Sequence, residues 1–227
     1  MRPFARHLSK SLRTTSPPII KGQAVSARFA IPTTRGLFQA VLPSTTFRMS
    51  STSADVGELK IENTNIKSAP GVDLSQQQKT LIGSVLDLFA GRPSLAKLQL
   101  WQDDAQFIDP LTIAKGRKQF EPQWYGLQTA FSEIERLHHE VTSGGNPIEL
   151  DLKSRYVVKG IGKEQIISSK VKIWSDGDKI TKVHDEWDGK LPESSIAQAF
   201  QRLNANTVPY VVGVPKNAEE DAKKGNQ

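Results

Sequence analysis

The sequence predicts an α+β fold in which helices come first and a long antiparallel sheet follows. Two observations carry that expectation. Apolar residues recur at helical intervals in two segments: Leu81, Ile82, Val85, Leu86, Leu88 and Phe89, then Phe120, Trp124, Leu127 and Phe131. Beyond them the period becomes two, in extended runs at 134–142, 148–159, 165–174 and 179–187. Short Gly-, Asn- and Asp-rich segments join these runs, as they join antiparallel neighbours.

The first helix opens at Ser75, where Ser75 and Gln78 make a Ser-x-x-Gln capping box that can satisfy orphan amide donors. Gly91 and Pro93 stop it. A second, short helix starts at Ser94 and turns Leu95, Leu98 and Trp101 inward. Residues 105–108 read as a short strand ended by Asp109-Pro110, because proline cannot donate to a ladder. A loop with Gly116 leads into the aromatic helix, where Pro122 is tolerated only within the first turn. In the second extended run Leu150, Leu152, Ser154, Tyr156 and Val158 share one face, and Asp151, Lys153, Arg155 and Lys159 share the other, so one face is buried and one is wet. A final helix at 193–203 carries Ile196, Ala197, Phe200 and Leu203. The segment 206–227 is an extension whose charged end, from Lys216, reads as mobile.

The net charge of +6 belongs to one end of the chain. Residues 1–54 hold eight of the 30 basic residues and none of the 24 acidic ones, so the remainder is slightly acidic. That argues against nucleic-acid binding, which needs a positive footprint on the folded domain. The leader is rich in Arg, Ser and Thr and lacks the apolar core of a secretory signal, so it reads as a mitochondrial-type presequence that engages the import machinery and delivers the chain to the matrix. Translation from Met49 would give a cytosolic form. Residues 55–72 are polar and punctuated by Pro and Gly, and read as a disordered linker to a domain at 73–205. No stretch approaches 18 apolar residues, so no membrane span is expected. The absence of cysteine excludes disulfides, thiolate metal sites and cysteine nucleophiles.

The segment Leu100–Pro110, which ends in an Ala-x-Phe-x-Asp-Pro pattern, together with Gly116, Phe120 and the closing run Lys182-Val183-His184-Asp185-Glu186-Trp187, resembles the nuclear transport factor 2-like superfamily and its SnoaL-like domain proteins over residues 75–205. The resemblance implies a cone: a curved antiparallel sheet wrapped around N-terminal helices, with a pocket for a small hydrophobic molecule. It also implies homodimerisation through the sheet, although the exposed face here is rich in Lys, Arg and Asp. The same fold serves isomerases, dehydratases and interaction modules, so function must be argued from the site.

An acid–base site needs a group titrating near neutrality and donors for developing charge. Strand parity places Asp185 with Val183 and Trp187 on the more apolar face, where desolvation would raise its pKa and make it a catalytic base; capping the pocket mouth or pairing with a neighbouring cation is the other reading. Asp109 shares parity with Phe107 and is either a pocket group or the opener of a turn before Pro110. Tyr156, Trp124 and Trp187 are ligand-binding candidates, or core aromatics. His139 shares parity with Leu137 and Val141 and is the inward one of the two adjacent histidines, a candidate general acid or base. A metal site would need His139 and two acids to converge, and neither a metal nor a cofactor is expected.

Two functions follow as expectations. One is a small-molecule pocket protein, a cofactor-independent lyase or isomerase. The other is a non-catalytic mitochondrial interaction module, in which 209–215 is either the docking strand or a segment that covers a sheet edge. A cone interior that is open favours the first, and a filled one the second.

Overall fold

A computed structural model describes residues 59–189, 197–198, 200 and 212–224. The expected presequence at 1–54 lies outside the described residues, as do 55–58 of the expected linker and all but Ala197, Gln198 and Phe200 of the expected final helix. Two helices, α1 (Gln76–Phe89) and α2 (Leu95–Leu98), precede a hairpin, β1 (Trp101–Asp109) and β2 (Thr112–Lys115). Helix α3 (Arg117–Ala130) follows, then the meander β3 (Phe131–Ser143), β4 (Ile148–Val158), β5 (Glu164–Asp176) and β6 (Lys179–Trp187), and a short helix α4 (Ala218–Lys223).

The six strands form one sheet in the order β2-β1-β6-β5-β4-β3. All neighbours are antiparallel except β1 and β6, which run parallel and pair Phe107 with Val183 and Ile108 with His184. Register shifts insert extra residues in β1, β3 and β6, which bend and twist the strands so that the sheet curls over the helices. The expected cone class is the observed one. The core lies between the inner face of the sheet and helices α1 and α3, with Leu81, Ile82, Val85, Leu88, Phe120 and Trp124 buried against Leu150, Val171, Ile173 and Val183. Burying such side chains contributes roughly 1.5–3 kcal/mol each, before conformational entropy is subtracted.

Local chemistry explains the boundaries. The Ser75–Gln78 capping box forms in both directions. At the other end of α1 Gly91 takes φ 73°, and the Gly91 and Arg92 amides donate back to the Leu88 and Asp87 carbonyls, a Schellman arrangement that needs a left-handed residue there. Four expectations are corrected in this region. Trp101 opens β1 and is not part of the second helix. Pro122 is the sixth residue of α3, past the first turn, so the Lys118 carbonyl loses its intrahelical donor. Phe131 begins β3, where it is nonetheless buried. The stretch after Pro110, expected as a loop, returns as β2.

Both supposed tails are corrected too. Residues 59–72 are an arm along α1 and the β3 edge: Leu59 and Ile61 are buried, the Ala69 amide donates to the Val141 carbonyl and the Val141 amide to the Lys67 carbonyl. The Glu62 and Asn63 amides donate to the Asp87 carboxylate at 2.9 and 3.2 Å. Asp87 also pairs with Lys97 at 3.0 Å, with both side chains fully buried. Gly83 permits the close approach, since a β-carbon there would lie 2.5 Å from the Asn63 carbonyl oxygen. The charged C-terminal segment is likewise docked. Pro215 and Asp221 are buried, and the Asp221 carboxylate accepts from the Tyr125 hydroxyl at 2.6 Å and from the Leu95 amide, the first of α2, at 2.8 Å. Of the expected docking strand at 209–215, residues 209–211 lie outside the described residues, while Val212 and Val214 pack against the core.

The outer face of the sheet is charged, as expected. Arg155 on β4 bonds Glu133, Glu135 and Glu164, and Lys172 on β5 bonds Glu186.

Candidate functional site

The inner face of the sheet and helix α3 enclose a narrow slot. Its walls are two aromatic clusters. In one, Phe89, Phe107 and Trp124 meet with ring centroids 4.6–6.2 Å apart. In the other, Phe200 lies 4.8, 5.4 and 5.2 Å from Phe131, Tyr156 and Trp187. The polar groups that reach the slot are Asp109, Thr112, Gln123, Ser154, Ser169 and Asp185, with the Tyr156 hydroxyl. The space open to the centre of a water-sized sphere is about 40 Å³. A single water needs roughly 10–15 Å³ in that measure, so the interior is mostly filled by side chains.

Alternation puts Asp185 here. In β6 Ile180, Val183 and Asp185 are buried while His184 and Glu186 face outward. Asp185 is 5% exposed. Its Oδ2 accepts from the Trp187 indole N–H at 2.6 Å, and the Ser169 hydroxyl also bonds the carboxylate. Its Oδ1 is buried and meets no donor among the described residues. Burial pushes the Asp185 pKa up to about 6, against the lowering effect of Ser169 and Trp187.

Asp109 arrives from β1. One step past the paired Ile108 and His184 in a parallel register, it stands beside Asp185. It is also the turn opener that its Asp-Pro sequence suggests: Oδ1 accepts from the Leu111 amide at 2.7 Å. Burial raises its pKa to about 7, and the charge of Asp185 adds to the rise against the lowering by the Leu111 and Thr112 bonds. Tyr156 feels the same environment. Burial first, then the charges of Asp185 and Asp109, push its pKa upward, so it stays a phenol.

Among the described residues, no lysine, arginine or histidine lines the slot. The placement of His139 is therefore a correction. One of the three register shifts of β3 falls at Leu137, which is turned outward and 43% exposed instead of sharing the inner face with His139 and Val141. His139 lies under the N-terminal arm and away from the acids. Its Nε2 accepts from the Lys67 amide at 3.2 Å, and burial, with Arg136 and Lys67 nearby, lowers its pKa to about 4. The structure thus brings together Asp109, Asp185, Trp124, Tyr156 and Trp187 and leaves His139 apart. Thr112, Gln123 and Ser169 were not singled out from sequence, whereas Ser154 carried a signal as the one polar residue on the apolar face of β4. Among the described residues no group of three or more His, Asp or Glu side chains is arranged to hold a metal. No helix among them is long and apolar enough to cross a membrane.

The arrangement can do one kind of chemistry on its own. Two carboxyls on neighbouring strands of one slot, one ionising before the other, provide a base and an acid in the same dry site.

No protein-family model matches the chain, and no curated protein does. Solved structures do. A nuclear transport factor 2-like protein of Anabaena variabilis is 14% identical, with 54% of this chain and 97% of that one covered and a TM-score of 0.45. A steroid delta-isomerase of Pseudomonas aeruginosa is 16% identical over 58% of this chain and 91% of its own, at a TM-score of 0.44. A nuclear transport factor 2-like protein of Burkholderia xenovorans is 17% identical over 51% and 93%, at 0.43. The likeness is one of fold and is carried no further.

Proposed function

We propose that this chain, a cone of the nuclear transport factor 2-like kind, binds a small and largely apolar molecule in its aromatic slot and moves a proton on it with Asp109 and Asp185. The reaction class is a cofactor-independent isomerisation or elimination, and the compartment is the mitochondrion, reached through the acid-free leader.

One observation carries the reading: the unbonded, buried Oδ1 of Asp185 beside a second acid that ionises later. Near neutral pH Asp185 is mostly ionised, and its free oxygen is poised to take a proton from carbon. Asp109 still holds its proton for much of the time and donates it, or a hydrogen bond, to an oxygen on which negative charge develops. The Tyr156 phenol is a second donor on the same wall. Aromatic side chains supply the dry surroundings in which such bonds are strong. A ligand body larger than the slot needs these side chains to shift on binding.

The test is proton exchange at a carbon acid. With 2-tetralone in D2O followed by NMR, the protein should speed deuterium uptake beside the carbonyl at least tenfold over buffer, with a rate that rises through about pH 6. Asp185→Asn should abolish the gain. Exchange at the buffer rate, or an undiminished rate in Asp185→Asn, overturns the proposal. A second reading is favoured by one observation, the filling of the interior to about 40 Å³, which suits an interaction module. It stands if neither 2-tetralone nor 2-naphthol quenches the tryptophan fluorescence. Residues 1–54 fused to a fluorescent protein test the address; a diffuse cytosolic signal removes the mitochondrion.

A further inference from the structure

We infer that the molecule this slot selects carries a protonated alkylamine: the site offers a small aromatic box with two carboxyl groups from neighbouring strands, and among the described residues no cation lines it. The inference rests on the proposed ligand-binding role of the slot and names the chemical class of its ligand.

The argument begins with how this protein treats its other buried acids. Asp87, fully buried, is matched by the Lys97 ammonium at 3.0 Å and by the Glu62 and Asn63 amides. Asp221 is matched by the Tyr125 hydroxyl and the Leu95 amide, one donor on each oxygen. Asp185 differs. Its neutral donors, Trp187 and Ser169, leave Oδ1 unbonded, and its nearest acidic neighbour on β1 adds negative charge. Burying a carboxylate without a partner is costly, so a site built this way has room for a positive charge brought from outside.

The walls suit the same guest. Trp124, Trp187, Tyr156 and Phe200 line the slot, and aromatic faces attract ammonium groups most strongly where water is excluded. A neutral apolar molecule would fill the slot but leave Oδ1 unbonded. An alkylammonium with at least one N–H bonds that oxygen, sits between the two carboxyls and presents its alkyl surface to the rings. The limited volume restricts the charged head to a small group.

The charge balance sets a pH dependence. Among the described residues the titratable groups facing the slot are Asp109 from β1, Asp185 from β6 and Tyr156 from β4. Helix α3, β2 and β5 contribute the neutral Trp124, Gln123, Thr112 and Ser169, and Glu186 acts on Asp185 from the opposite face of β6. Binding of the cation should therefore strengthen as the two aspartates ionise.

Two probes of nearly the same shape separate the possibilities: 3,3-dimethylbutylammonium and the neutral 3,3-dimethylbutan-1-ol. Calorimetric titration of the full chain at pH 8 should give an affinity at least tenfold higher for the ammonium. That advantage should fall at least tenfold at pH 5, and it should also be lost in Asp185→Asn and in Asp109→Asn, each verified as folded by circular dichroism. If the alcohol binds as well as the ammonium, the slot is a ligand site but not one for amines, and the inference fails while the proposed function survives. If neither probe binds at pH 8, both fail.

Discussion

Asp109 and Asp185 stand on neighbouring parallel strands, one step beyond the Ile108–His184 pair, and the charge on Asp185 raises the pKa of Asp109. The contact joins residues 76 positions apart through the one parallel pairing in the described sheet. It creates two buried acids whose ionisation is easier in the unfolded chain than in the folded one.

That relationship has a measurable cost. An acid whose folded pKa is raised stabilises the fold fully only below its unfolded value, 3.8 here, and the benefit is lost as the pH climbs through the folded values of about 6 and 7. Asp185→Asn, neutral at every pH, should raise the unfolding free energy at pH 8 by roughly 1–3 kcal/mol, and the gain should shrink towards zero near pH 4. Denaturant midpoints at the two pH values check it; a variant less stable than the parent at pH 8 contradicts it.

Asp87→Ala should destabilise by about 3–5 kcal/mol, because it strands the fully buried Lys97 ammonium as well as two arm amides. The double variant Asp87→Ala/Lys97→Met should recover part of the loss, since it removes the unpaired charge. Chemical denaturation of all four proteins measures the coupling. Additive losses would show that the pair is not a unit.

Gly83→Ala tests the arm. In a free helix alanine is better than glycine by about 1 kcal/mol, yet here its β-carbon would lie 2.5 Å from the Asn63 carbonyl, and the net effect should be a loss of roughly 1–3 kcal/mol. Hydrogen exchange should quicken at the amides of Glu62, Asn63 and Ala69 before it quickens in β4 or β5. Unchanged protection in the arm would mean that α1 and the arm adjust to each other without cost.

What the sequence disclosed was whatever repeats locally. The Ser75–Gln78 box, the alternation of β4 and the parity of Asp185 with Val183 are visible because neighbours along the chain share a face. The β1–β6 pairing leaves no such trace, since the partners are distant, so nothing in the sequence announces that Asp109 and Asp185 meet. β2 is four residues long, too short for its period to register. His139 was assigned the right face but the wrong surroundings, because the extra residue at Leu137 re-aims the strand and the arm that covers His139 looks like a linker. That arm and the C-terminal segment have few apolar residues. They are held in part by polar links to Asp87, Val141 and Tyr125, which no periodicity announces.

The docking of Asp221 also bears on how the protein is made. Its carboxylate caps an amide 126 residues earlier in the chain and bonds a hydroxyl 96 residues earlier. During synthesis the sheet and both long helices leave the ribosome before the group that completes α2 and Tyr125 exists. Until then the Leu95 amide and the Tyr125 hydroxyl must rely on water. Asp221 is the clasp on these earlier elements, so a ribosome that stalls short of it releases a chain with its sheet complete and its fastening undone.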